Sequence, residues 1–156
     1  MTKFFLAAHV LAAIIAVGPV TVAASMFPAA IRRAQAAGPA DTASTAPVRV
    51  LHRICRVYAA VGLAVPVFGF ATASSMGILT DTWLIVSVLL TGIAACVLAF
   101  SILPGQDTLL AQLGHQDPPV RRSSTVRLAM FTGLFNVLWA VITILMIVRP
   151  GSTTGA

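Results

Sequence analysis

The sequence predicts an all-α polytopic membrane protein, in which four transmembrane helices form an antiparallel bundle. The first observation behind this prediction is a set of four long stretches without Asp, Glu, Lys or Arg, at residues 4–31, 57–80, 82–106 and 128–148. Each is long enough to cross the hydrocarbon core of a bilayer, which takes about 20 mostly apolar residues. The second is that arginines cluster in the segments between them.

Composition supports the same fold class. The chain is 58% hydrophobic and 9% charged, whereas a soluble domain carries about 25% charged residues. Such a chain could not cover its own surface in water. The net charge of +6 does not indicate nucleic-acid binding. A nucleic-acid binding surface needs basic and aromatic residues interleaved on a soluble segment, and no segment of this chain has that pattern.

The four predicted helices lie at about residues 4–27, 55–75, 83–103 and 126–148, within a single domain that spans 1–156. Residues 35–47 are small, polar and contain proline, so we expect a flexible linker there. Thr80 or Asp81 is expected to cap the third helix. Residues 106–114 fit two structures equally, a short amphipathic helix on the membrane surface or a solvated loop.

Arginine placement predicts the orientation of the chain. Eight of the ten basic residues lie in the two long connections: Arg32, Arg33, Arg49, Arg53, Arg56, Arg121, Arg122 and Arg127. Because positive charge favours the cytoplasmic side, both termini are expected outside the cell. One Lys against nine Arg, with abundant Ala, Gly and Val, indicates a GC-rich bacterial genome, so the expected location is a bacterial plasma membrane. The first helix is expected to be retained, since cleavage as a signal peptide would leave arginines outside.

Inside the spans the informative residues are uncharged. A charge within the membrane is expensive and usually functional, so its absence argues against ion-coupled transport. Pro19, Pro66, Gly92 and Asn136 are expected at similar depth and are assigned to helix packing. Each proline frees a carbonyl four residues upstream, and Asn136 either bridges helices at this level or satisfies its own helix.

Three histidines raise the possibility of b-type haem. His9 and His52 are weak candidate ligands, but about 30 Å of hydrocarbon separates their levels, so they cannot ligate one haem together. A histidine–methionine pair at matched depth stays open for either residue. His115 is expected to be an interfacial side chain. Cys55 and Cys96 are interpreted as small packing residues, and no cysteine pair has zinc-site spacing.

Catalytic signatures are missing from the sequence. It contains no nucleophile elbow, no glycine-rich phosphate loop and no carboxylate pair suited to acid–base chemistry. Asp107 and Asp117 lie near His115, where they are interpreted as solvated loop residues. We therefore expect no enzymatic activity, no metal site and no resident cofactor, with haem b as the alternative.

Two short motifs resemble a known family. They are Ala8-His9-Val10-Leu11-Ala12-Ala13 through Gly18-Pro19, and Leu51-His52-Arg53-Ile54 with Arg56-Val57-Tyr58. They resemble small four-helix integral membrane proteins of bacteria, of an actinobacterial type. The resemblance is strongest over the first two helices. It implies the fold and the membrane location, and it implies no particular chemistry.

The expected function is that of an accessory or structural subunit within a larger membrane complex, with a respiratory complex as the first candidate. The alternatives are a haem- or metal-binding electron-transfer protein and a small oligomeric transporter. The expected partners are membrane lipids and other membrane-protein subunits. Arg53, Arg56, Arg121 and Arg122 are candidate contacts to anionic lipid or to an acidic partner loop.

Overall fold

The computed structural model describes residues 1–38, 42–114 and 120–151, and that part of the chain contains helices and no strand. The elements in chain order are α1 (Thr2–Ala37), a 3-10 turn (Thr42–Thr45), α2 (Ala46–Val61), α3 (Ala64–Met76), α4 (Thr82–Val97), a π-helical segment (Leu98–Ile102), α5 (Leu103–Gly114) and α6 (Arg122–Val148).

Four helical stretches are long and apolar enough to cross a membrane. Their mean hydropathy lies between 1.8 and 2.5, and no more than 28% of the most apolar window of any stretch is buried inside the chain. The all-α fold class with four transmembrane helices is thereby confirmed. We call them span 1 (Thr2–Ala37), span 2 (Ala43–Met76), span 3 (Thr82–Gly114) and span 4 (Arg122–Val148).

The helices run further than predicted at the arginine-rich end of the molecule. α1 continues to Ala37, α2 begins at Ala46, and span 3 stays helical to Gly114. The reason is that charge marks the edge of the membrane but does not end a helix, since Ala, Arg and Gln favour helix in water. The flexible linker predicted at 35–47 is therefore wrong for residues 35–37 and 42–47, which belong to α1, the 3-10 turn and α2, while residues 39–41 lie outside the described residues.

Span 2 is interrupted between α2 and α3. Pro66 lies in the first turn of α3, where its missing N–H removes no helical hydrogen bond, and the Val65 N–H donates to the Gly62 carbonyl at 3.1 Å. A Cβ added to Gly62 would lie 3.1 Å from the Ala59 carbonyl oxygen. Glycine thus permits the tight backbone of the break. Span 1 remains one helix through Pro19 and Pro28.

The π-helical segment connects α4 to α5 without ending the helix. Residues 106–114, for which the sequence left helix and loop open, are helical. α5 packs against α1, α2 and α6, with Gln106 and Leu109 buried. Residues 106–114 are thus a helical extension of span 3, and part of their surface is buried in the core.

The core is concentrated toward the arginine-rich end. α1 packs on α2, α3 and α6, and α4 packs on α6. The most deeply buried large side chains at this end are Phe27, Ile31, Val48, Ile102 and Leu109. None of the α1 residues before Ala16 is buried.

The opposite end is closed by a smaller polar contact. Asp81 is the N-cap residue of α4, in agreement with one of the two predicted positions, but its side chain makes no capping bond. It accepts a hydrogen bond from the Trp83 indole N–H at 3.1 Å instead. The Arg149 guanidinium lies 5.6 Å from the centre of the Trp83 ring, so the end of α6 meets the start of α4.

Candidate functional site

A polar cluster connects spans 2 and 3 at the arginine-rich end. Gln106 is fully buried; its Oε1 accepts from His52 Nδ1 at 3.0 Å, and its Nε2 donates to Cys55 Sγ at 3.4 Å. His52 and Cys55 lie three residues apart on α2, so both face the same neighbour. Buried polar groups are costly unless they are paired, and Gln106 satisfies two of them at once.

The second ring nitrogen of His52 faces a carboxylate. Nε2 lies 2.9 Å from Asp107 Oδ1, but the contact lacks hydrogen-bond alignment, and Nε2 otherwise has no partner among the described residues. Asp107, which was expected near His115 and Asp117 from the sequence, thus contacts His52. Residues 115–119, with His115 and Asp117, lie outside the described residues.

A surface recess adjoins this cluster. It has a volume of about 380 Å³ and is lined by His52, Arg53, Arg56 and Val57. Two of the four predicted lipid- or partner-contacting arginines therefore meet at one place. The other two, Arg121 and Arg122, are exposed at the start of α6 and do not line the recess.

His9 lies in a separate contact between spans 1 and 2. Its Nδ1 donates to the Val65 carbonyl at 2.9 Å. A Cβ on Gly69 would lie 2.9 Å from His9 Cε1, so the imidazole fits against bare backbone on α3. Glycine is required here for close approach.

The haem interpretation gains little from these surroundings. Both His52 nitrogens have close polar neighbours, Gln106 and Asp107, which compete with iron ligation. His9 keeps Nε2 free of a hydrogen bond in the described contacts, but its ring lies against α3. Within residues 1–38, 42–114 and 120–151, no group of three or more His, Cys, Asp or Glu could hold a metal ion.

The four residues assigned to helix packing fall in different environments. Pro66 lines an apolar cleft of about 90 Å³, together with residues of α1, α2, α4 and α6. Asn136 Nδ2 donates to Ser25 Oγ on α1 at 3.2 Å, an acceptor different from the proline-freed carbonyls. Pro19 is half-buried in α1. Gly92 faces outward, and an added Cβ there would meet nothing within 4 Å.

Gly92 belongs to an outward face of small residues on α4 and the π-helical segment. Gly92, Cys96 and Ala99 are all exposed, and their spacing of four and three residues places them on one side of the helix. We call these three residues the small-residue face. Of the two cysteines interpreted as small packing residues, Cys55 is buried within the chain, whereas Cys96 is an exposed free thiol.

Two residues of these contacts were not predicted from the sequence, Gln106 and Ser25. The signal for Gln106 was the spacing of its neighbours, since Leu109, Leu110 and Leu113 follow it at three, four and seven residues, the pattern of a buried helix face. Ser25 carries no comparable signal. A comparison of the chain with family models, curated proteins and solved structures gives no match.

Proposed function

We propose that this chain is a non-catalytic subunit of a larger membrane assembly, and that it docks through the small-residue face. The observation that carries the proposal is the exposure of Gly92, Cys96 and Ala99 where the chain itself covers none of them. In a membrane, helices associate by close backbone packing, and interfaces are enriched in Gly, Ala and other small residues. Small side chains offer lipid tails little surface to pack against, whereas they let the backbone of a second helix approach closely.

The first host to test is a respiratory complex in a bacterial plasma membrane, as the sequence analysis suggested. The same interpretation includes termini outside the cell, arginine-rich connections in the cytoplasm and an antiparallel order of spans. Contacts between the first part of one span and the later part of another, or the residue after it, support that order: His9 contacts Val65, and Trp83 contacts Arg149. Charge placement supports the orientation.

Reporter fusions test this orientation. Alkaline phosphatase fused after Ile78, between α3 and α4, is expected to be active, because it would lie outside the cell. Green fluorescent protein fused after Val120, before α6, is expected to fluoresce in the cytoplasm. The reverse pattern would contradict the proposed orientation and leave the docking proposal standing.

Purification in a mild detergent such as digitonin tests the docking. The wild-type chain is expected to co-purify in stoichiometric amount with larger membrane subunits. Gly92→Leu should release it, because the larger side chain holds a partner helix away. Gly18→Leu and Gly133→Leu are matched controls, since both glycines are exposed and an added Cβ meets nothing within 4 Å.

The outcome is decisive in either direction. Release by Gly92→Leu alone would support docking through α4. A wild-type chain that purifies as a free monodisperse species, or three leucine variants that behave alike, would overturn the proposal.

A further inference from the structure

We propose that the recess lined by His52, Arg53, Arg56 and Val57 binds the phosphate group of an anionic phospholipid. The recess lies on α2 at Val57, where the uncharged stretch of span 2 begins. At this level of a transmembrane helix, lipid headgroups meet the hydrocarbon core. The site is separate from the small-residue face and does not depend on the proposed subunit role.

The two arginines are free to receive an anion. Arg53 and Arg56 are exposed and lie three residues apart on one side of α2. The one ion pair between described residues is that of His52 with Asp107, so neither arginine has a carboxylate partner there. A guanidinium group binds phosphate through two parallel N–H donors, and two such groups side by side suit one phosphate.

His52 adds a fixed polar group to the recess wall. Its side chain is only 10% exposed, and the Nδ1–Gln106 bond holds the ring orientation. Nε2 has no aligned hydrogen-bond partner in the described part of the chain. The carboxylate of Asp107 lies 2.9 Å from Nε2 and is 62% exposed on its side chain. Its negative charge beside the recess wall therefore opposes the binding of a phosphate group there.

The apolar continuation of the recess favours a lipid over a free phosphate ion. Val57 is 50% exposed, and Val61, four residues further into span 2, is 40% exposed. Their spacing places both valines on one side of α2. An acyl chain attached to the bound phosphate can follow them into the hydrocarbon core, a contact that inorganic phosphate cannot make.

Native mass spectrometry of the full-length protein in detergent, titrated with phosphatidylglycerol, tests the proposal. Phosphatidylcholine and inorganic phosphate are the comparison ligands, and both are expected to bind more weakly. Since each juxtamembrane arginine contributes about a fivefold gain in anionic-lipid affinity, Arg53→Gln with Arg56→Gln should weaken phosphatidylglycerol binding about 25-fold. Asp107→Asn should strengthen it, which a misfolded variant could not do.

The matched control is the double change Arg32→Gln with Arg33→Gln, which removes the same charge from exposed positions at the end of α1. It should leave the affinity within about twofold of wild type, because neither arginine lines the recess. An equal loss in both double variants would overturn the site in favour of diffuse attraction. Inorganic phosphate binding as tight as that of phosphatidylglycerol, or no gain from Asp107→Asn, would overturn it as well.

Discussion

At the scale of single residues, a few hydrogen bonds and close contacts at glycine connect the helices, whose membrane-spanning parts contain no charged residue. His9 illustrates this, since its ring occupies the space that a side chain at position 69 would take and bonds to the Val65 carbonyl. The contact joins α1 to α3 near the start of span 1, where no residue before Ala16 is buried. It therefore adds a specific polar contact at an end of the molecule that has little buried core.

Gly69→Ala is expected to lower the free energy of unfolding by about 1–3 kcal/mol, the usual effect of overpacking. The added methyl group would displace His9 and break its bond to Val65. Thermal unfolding in detergent measures the effect. In a His9→Ala background the same change should cost little, and Gly92→Ala, with open space around it, serves as the control. Equal losses from Gly69→Ala in both backgrounds would contradict the contact.

Gln106→Leu is expected to destabilise the protein by about 1–3 kcal/mol, because buried His52 Nδ1 would lose its acceptor. Gln112→Leu is the control on the same helix, since Gln112 Oε1 is buried without a partner in the described residues. Chemical denaturation monitored by helical circular dichroism compares the two. A larger loss from Gln112→Leu would contradict the assigned role of Gln106.

The candidate residues His52, Arg53 and Arg56 could be selected from the sequence, because polar residues at the end of an apolar stretch stand out. The leucine spacing after Gln106 indicates a buried helix face, but its pairing with Cys55 could not be predicted, because the two are 51 residues apart in the chain and only the packing of α5 brings them together. The spacing of residues in the sequence predicts which side chains are neighbours on one helix. It does not predict which residues of two different helices lie at the same level.

At the scale of helices, an amide–hydroxyl bond joins α1 to α6. Asn136 Nδ2 donates to Ser25 Oγ, while Asn136 Oδ1 is buried without a partner among the described residues. Interhelical bonds of this kind contribute about 0.6 kcal/mol on average and up to about 1.7 kcal/mol. The bond is thus a modest constraint on register.

A double-mutant cycle tests this contact. Asn136→Leu and Ser25→Ala are expected to show a coupling of about 0.5–1.7 kcal/mol in unfolding experiments in detergent. Thr143→Val on the same helix is a control, because the Thr143 hydroxyl bonds to its own helix at the Trp139 carbonyl. Its effect should add to that of Ser25→Ala without coupling. If Asn136→Leu left the stability unchanged, the result would contradict a stabilising bond between α1 and α6.

Helix existence was predictable and helix ends were not. The uncharged stretches located all four spans, since long apolar runs have few alternatives in a membrane protein. The ends were misplaced where helices leave the membrane, because Ala34 and Val48 still find apolar partners beyond the first arginines. The interruption at Gly62 was foreshadowed by Pro66, whereas nothing in the sequence indicated the π-helical segment.

At the scale of the whole molecule, packing is uneven. The arginine-rich end holds most of the large buried side chains, while the first part of α1 and the small-residue face remain uncovered by the chain. Composition alone predicts an apolar exterior, but only the structure separates small exposed residues from large ones. That distinction carries the proposed docking of α4 onto a partner.

Photo-crosslinking in native membranes tests this docking most directly. A photoreactive amino acid at position 99, on the small-residue face, is compared with one at position 130, where Met130 is 70% exposed on α6. If the small-residue face docks onto a partner, we expect a discrete crosslink to one membrane-protein subunit from position 99 and only lipid adducts from position 130. Lipid adducts alone from position 99, or the same protein crosslink from both positions, would contradict it.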